Sequence, residues 1–218
     1  MRPLILSGFA ASLLLACAAP ASAAETGKPL TPAQLRAALL TPEDLGDGYV
    51  PNTKRNREVL DAEEAHTKKC ATALRALKPL LKSRAAVFIN EEDNPAGVKQ
   101  FALSGTSAAV SSWKKAGTVM VRDCAGVRTK THGVKQSITR LSVGKLGNWA
   151  YGIRYSKLIP SVNPDPIHAS DLVLIGAGNT VTLLVTDGFF GTFDPDLSER
   201  AAQLAVPKLR DAQETAVR

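Results

Sequence analysis

Three histidines, three cysteines and one close group of acids are the residues with which this 218-residue chain could do chemistry. His66, His132 and His168 lie far apart, none in H-E-x-x-H and none with a second His three or four residues away, so no zinc site is written locally. His66 is expected to be solvated on a charged helix face. Asp194, Asp196 and Glu199 lack the alternating oxygen ligands of a calcium loop, and carboxylates there suit the first turn of a helix, where the dipole favours them. No G-x-S-x-G presents a hydrolase serine. Gly176-Ala-Gly178 leads into a strand, whereas a phosphate loop needs a helix N-terminus aimed at the anion. These patterns yield no catalytic residue, metal ligand or cofactor, and the chain is expected not to be an enzyme.

Two loops are more suggestive of binding. Residues 156–168 carry Pro160, Pro164 and Pro166 and exceed a simple connection, a length more often tied to function than to packing. Residues 187–193 hold Phe189, Phe190 and Phe193, three of the chain's six phenylalanines. Such rings either plug a sheet against the last helix or line an apolar cleft, to which Tyr151 and Tyr155 would add hydroxyls. These five aromatics are the candidate ligand contacts.

The elements that would position them follow from periodicity. Thr31 with Pro32 caps a short helix to Leu40, and Thr41-Pro42 starts a single turn that exits through Gly46 and Gly48. A longer helix is expected from near Asp61, with Cys70, Leu74, Leu77 and Leu81 on one stripe. Residues 84–91 and 98–104 read as strands around Asp93-Asn94-Pro95. A second long helix, about Ser107 to Ala125, carries Trp113, Gly117, Met120 and Cys124 inward. From Val134 the period becomes two: strands are expected at 137–143, at 149–156 with Trp149, Tyr151, Ile153 and Tyr155 on one face, and at 168–177 and 180–186 around a Gly178-Asn179 hairpin. A last helix starts near Pro195, and Pro207 should kink or end it. Short turns between consecutive strands imply antiparallel pairing. The expected fold is α+β: a central antiparallel sheet with helices packed on one face, without internal repeats.

Arg2 followed by an apolar run from Leu4 to Ala16 is too short to span a bilayer of about 30 Å and reads as an export signal. Leu14-Leu-Ala-Cys17 has the form of a lipobox, which would make Cys17 a lipidation site. Ala21-Ser-Ala23 has the form of an ordinary signal-peptidase site. Residues 1–23 are thus the leader, 24–32 a flexible spacer and 33–218 one domain. With Cys17 in the leader, Cys70 and Cys124 remain, both on core-facing helix stripes, and an oxidising compartment favours a helix-to-helix disulfide over two buried thiols. Net charge is +7, and residues 114–145 alone carry that surplus: Lys114, Lys115, Arg122, Arg128, Lys130, Lys135, Arg140 and Lys145 against Asp123. Such a surface keeps a protein soluble or attracts anions, which outside a cell are lipid head groups or wall polymers rather than nucleic acid.

The leader, the spacer and Leu39-Leu-Thr-Pro-Glu-Asp-Leu-Gly-Asp-Gly-Tyr49 together resemble the "LLxxxDLxxGY" opening of actinobacterial exported lipoproteins. A helical Cys124, a Trp149-bearing strand, Gly178-Asn179 before Thr180-Val-Thr-Leu-Leu-Val185 and a final amphipathic helix are similar in order to the group related to the extracellular sensor domain of PknH-type serine/threonine kinases. The resemblance, over about residues 31–210, implies an α+β sensor-like domain with a cleft for a ligand. It departs in one respect: the kinase sensor has two disulfides, and this mature chain has cysteines for one. The combined expectation is an exported, non-enzymatic ligand-binding or sensor-like domain at the cell envelope, contacting an anionic or amphiphilic component. A protein–protein interaction module and a secreted hydrolase are the alternatives.

Overall fold

A computed structural model describes residues 28–53 and 65–217. The leader with Cys17, residues 24–27 of the spacer and the expected helix start near Asp61 lie outside these residues. The elements are α1 (Pro32–Ala37), α2 (Pro42–Leu45), β1 (Tyr49–Pro51), α3 (Lys68–Arg75), α4 (Lys78–Leu81), β2 (Ala85–Glu91), β3 (Gly97–Ser104), α5 (Ser107–Cys124), β4 (Arg128–Thr131), β5 (Val134–Leu141), β6 (Trp149–Leu158), β7 (His168–Ala177), β8 (Thr180–Phe189) and α6 (Leu197–Val217). The domain is already packed before residue 33: Leu30 is buried and its N–H donates to Ser104 Oγ at 2.9 Å.

The strands form one eight-stranded sheet in the order β1-β2-β3-β8-β7-β6-β5-β4, with every neighbour antiparallel. Gly178 takes φ +53° in the two-residue β7–β8 turn, with Ala177 opposite Thr180. Where the sequence suggested no strand, β4 pairs with β5 through His132 and Gly133, both at positive φ, the arrangement a right-twisted two-residue hairpin favours.

Helices cover both faces of the sheet, which corrects the expectation of one. On β8, Val181, Leu183 and Val185 join the core beneath α3, α4 and α5, while Leu184 joins Leu197, Ala201 and Ala205 of α6. On β7, Leu172 and Leu174 take the first side, Val173 and Ile175 the second. Strands apolar at consecutive positions need a cover on each side, because a one-residue step turns a side chain to the other face. We call these the α5 face and the α6 face.

The α5 face is tied by Cys70 of α3 and Cys124, the last residue of α5, which form a disulfide between two helices. Close approach of α5 depends on Gly117, where a Cβ would come within 2.5 Å of Tyr151 Cδ2. Thr67 caps α3 by accepting the Cys70 N–H, so the helix described begins at Lys68. On the α6 face the final helix runs through Pro207 without ending there. Val206 and Leu209 on either side of that exposed proline are buried, so packing outweighs the lost backbone hydrogen bond. Gln213 Nε2 donates to Ala177 O at 2.7 Å and pins the end of α6 beneath the β7–β8 turn.

Candidate functional site

At the sheet end formed by the β2–β3 turn and the exit of β8, a groove of about 610 Å³ opens between β1, β2, β3 and β8. Its wall includes Asn90, Lys99, Asp187 and Phe189. Gly97 allows the strands to close beneath it, since a Cβ there would lie 2.2 Å from Ile89 O. Lys99 Nζ pairs with Asp187 at 2.8 Å, with side chains 18% and 14% exposed, and Ser170 Oγ donates to the same carboxylate at 2.7 Å. Asn52 Nδ2 donates to Asn90 Oδ1 at 2.7 Å, and Asn90 Nδ2 to Pro95 O at 2.9 Å. The Phe189 ring stacks on His168, with centroids 4.5 Å apart and planes 6° apart, and the edge of Tyr155 meets His168 at 5.3 Å. An aromatic face thus stands beside a fixed donor–acceptor pair, a combination that suits a ligand with both apolar and polar edges.

The five candidate aromatics do not converge on this groove. Phe189 alone of them lines it. Tyr155 is fully buried in the core, and Tyr151 lies under α5 against Gly117. Phe190 is 73% exposed at φ +52°, outside the groove lining. Phe193 folds back across Gly188, where a Cβ would clash with its backbone at 2.3 Å, and its ring lies 5.0 Å from the Arg154 guanidinium.

That arginine belongs to a closed polar network. Arg154 Nε and Nη2 donate to both oxygens of fully buried Asp171, at 2.7 and 2.8 Å, and Nη2 also donates to Pro195 O at 3.0 Å. Ser198 Oγ donates to Asp171 Oδ2 at 2.6 Å and shares a 2.7 Å bond with Thr186. The bond to Asp171 holds Arg154 above the usual guanidinium range. Every polar group here points at another, which anchors the start of α6 rather than opening a site.

The remaining chemistry-bearing residues are dispersed. Half-buried His66 has a positive φ, and its Nε2 is buried without a hydrogen-bond partner among the described residues, which corrects the expectation of a solvated side chain. His132 sits at the β4–β5 tip. Asp194 accepts the Asp196 N–H at 2.9 Å and Arg200 Nη1 at 2.9 Å, so it turns the chain just ahead of α6. Among the described residues no group of three His, Cys, Asp or Glu could hold a metal, and no helix is long and apolar enough to cross a membrane.

The basic segment is divided by the fold. Exposed Lys114, Lys115 and Arg122 lie on α5, where Arg122 pairs with Asp123 at 2.6 Å. Arg128 and Lys130 lie on β4, across from Ser137 and Lys135. Their side chains take the α6 face, because the alternate position on β5, Ile138, packs into the α5-face core. Spacing along the chain gave no sign of this split.

No family model and no curated protein matches the chain. Among solved structures it is similar to the extracellular domain of PknH from Mycobacterium tuberculosis, with a TM-score of 0.55 and 11% identity over 85% of this chain and 99% of that one. The resemblance suggested by Leu39 to Tyr49 and the later motifs therefore holds at the level of architecture: the chain shares the fold of that extracellular domain.

Proposed function

We propose that the chain is an exported, non-enzymatic, sensor-like domain that binds a ligand at the cell envelope in the groove bordered by Phe189. The groove's pairing of an aromatic face with the Lys99–Asp187 ion pair carries this reading. A fold shared with the extracellular domain of PknH supports it. A bound ligand would lie against Phe189 and exchange hydrogen bonds with Asn90 and the ion pair, which is already rigid and so costs little ordering. The leader supports export, with Cys17 lipidation or cleavage after Ala23 deciding between a tethered and a released form. Arg128 and Lys130 would hold the domain at anionic or amphiphilic envelope material, while Lys114, Lys115 and Arg122 on α5 would add only long-range attraction.

A thermal-shift screen with polar and lipid extracts of the host envelope tests the groove. The parent chain should gain several degrees from one fraction, and Phe189→Ala and Lys99→Gln should lose that gain. A gain that survives both substitutions refutes the assignment. Covalent labelling of a serine by a fluorophosphonate probe would establish the hydrolase alternative instead. A protein-interaction module is favoured by one observation, the exposure of Val162 and Phe190 at the same sheet end.

A further inference from the structure

Val162 and Phe190 are each 73% exposed, the most exposed large apolar side chains among the described residues. Far apart in sequence, they are carried by two loops at the same end of the sheet whose bases are joined. Ile167 N–H donates to Lys157 O at 2.9 Å, and Phe190 N–H donates to Ile167 O at 3.1 Å. Val162 sits in the turn that leaves β6, its N–H bonded to Ile159 O at 2.9 Å. Single exposed apolar residues are ordinary, but two on adjoining loops at one end of a sheet mark a contact surface.

Directly beside these loops, on the α6 face, α6 covers β3, β7 and β8 and leaves β4, the start of β5 and the end of β6 open. There Lys130, Lys135 and Leu158 form one cross-strand rung and Arg128, Ser137 and Ser156 another, around a shallow groove of about 420 Å³. Lys130 and Lys135 are directly opposed, an arrangement of like charges that weakens a strand pair unless an anion sits between them. Arg128, Lys130 and Lys135 have no ion-pair or side-chain hydrogen-bond partner among the described residues. Within residues 159–167 and 190–193 Asp165 is the only acid; Glu91, Glu92 and Asp93 of the β2–β3 turn lie on the other side of β8, at the Phe189 groove.

We propose that the β4–β6 side of this sheet end docks on an anionic phospholipid surface. Arg128, Lys130 and Lys135 would take head-group phosphates while Val162 and Phe190 enter the interfacial layer. Exposed apolar side chains flanked by unpaired cations fit a lipid interface, since a soluble polyanion would engage the cations and leave the apolar pair in water. The proposal rests on the chain being exported and is independent of what the Phe189 groove binds. It also separates the open β4–β6 face from Lys114 and Lys115 on α5, which lie across the sheet.

The test uses the full chain carrying Phe190→Trp, so that the reporter reads depth at this loop whatever the leader does. Vesicles of phosphatidylglycerol and phosphatidylcholine in equal parts should shift the new indole emission to the blue and allow its quenching by brominated acyl chains. Vesicles of phosphatidylcholine alone should not. Adding R128Q, K130Q and K135Q should raise the lipid needed for half the shift roughly a hundredfold, about fivefold per cation, which corresponds to about 1 kcal/mol each. K114Q with K115Q should leave the titration within about threefold of the parent. An indole that stays in water on anionic vesicles, or a triple variant that titrates like the parent, overturns the proposal. Binding of a soluble polyphosphate by the cations with no indole shift on vesicles would assign them to a soluble polyanion and overturn it equally. Loss of the thermal shift in Phe189→Ala with unchanged vesicle binding would leave the docking surface standing apart from the groove.

Discussion

Replacing Arg154 by Met should destabilise the domain more than any other single surface-reaching change, because it strands Asp171. The Met side chain retains the length and apolar contact of the arginine stem but removes two of the three hydrogen bonds the buried carboxylate accepts, leaving only Ser198 Oγ. Breaking a buried pair by deleting one partner costs about 3–5 kcal/mol. With a urea m-value of about 2 kcal/mol per molar for a domain of this size, the unfolding midpoint should fall by about 2 M with m unchanged. Removing both charges in Arg154→Met with Asp171→Leu leaves no uncompensated carboxylate, and Ser198 keeps Thr186 as its partner. The double variant should therefore recover to within about 1–2 kcal/mol of the parent, a strongly non-additive cycle. Tryptophan fluorescence in urea measures all four species. A loss below about 1 kcal/mol in the single variant, or additive losses in the double, would refute the view that this network anchors α6.

Three other outcomes follow from the same packing. Reducing the Cys70–Cys124 link, or replacing both cysteines by serine, opens a 54-residue separation and should cost about 4 kcal/mol, read as a lower urea midpoint. Gly117→Ala gains helix propensity but drives a methyl into Tyr151 and Leu174 beneath α5, so calorimetry should find a net loss of about 1–2 kcal/mol. Burial alone would raise the Asp44 carboxyl, but hydrogen bonds from Lys208 and from the Thr41 N–H outweigh it and hold it below the usual range. That contribution is present above about pH 4 and is lost as the pH falls through the depressed folded value. The stability gap between the parent and Asp44→Asn should be flat from pH 5 to 8 and should narrow below about pH 4.

The strands that carry a two-residue period or a continuous apolar run were legible from side chains alone, as were α5 and the cysteine pair on inward stripes. So was the Gly178-Asn179 turn. The strand β4 was not, because Arg128-Thr-Lys-Thr131 has no apolar alternation and its turn uses His132 where Asn is the familiar residue at positive φ. Cover on both faces was written in the consecutive apolar residues Leu172 to Ile175 of β7 and Leu183 to Val185 of β8, a pattern that half-buried strands do not show. Pro207 misled because local propensity is a weak term beside the burial of Val206 and Leu209. The Phe189 groove joins β1, the β2–β3 turn and the end of β8, so no single stretch of chain displays it. The grouping of Phe189, Phe190 and Phe193 in sequence did not carry into space, since a strand end and the fold-back at Gly188 send the three rings to different surroundings.

The most direct measurement is a native mass spectrum of the protein recovered from its own host, taken beside the same spectrum of Phe189→Ala. The account predicts an exported chain that begins at an acylated Cys17 or at Ala24 and carries a discrete non-covalent mass, which the Phe189 variant lacks. A chain that retains residues 1–16, or a bound mass unchanged by the substitution, would contradict it.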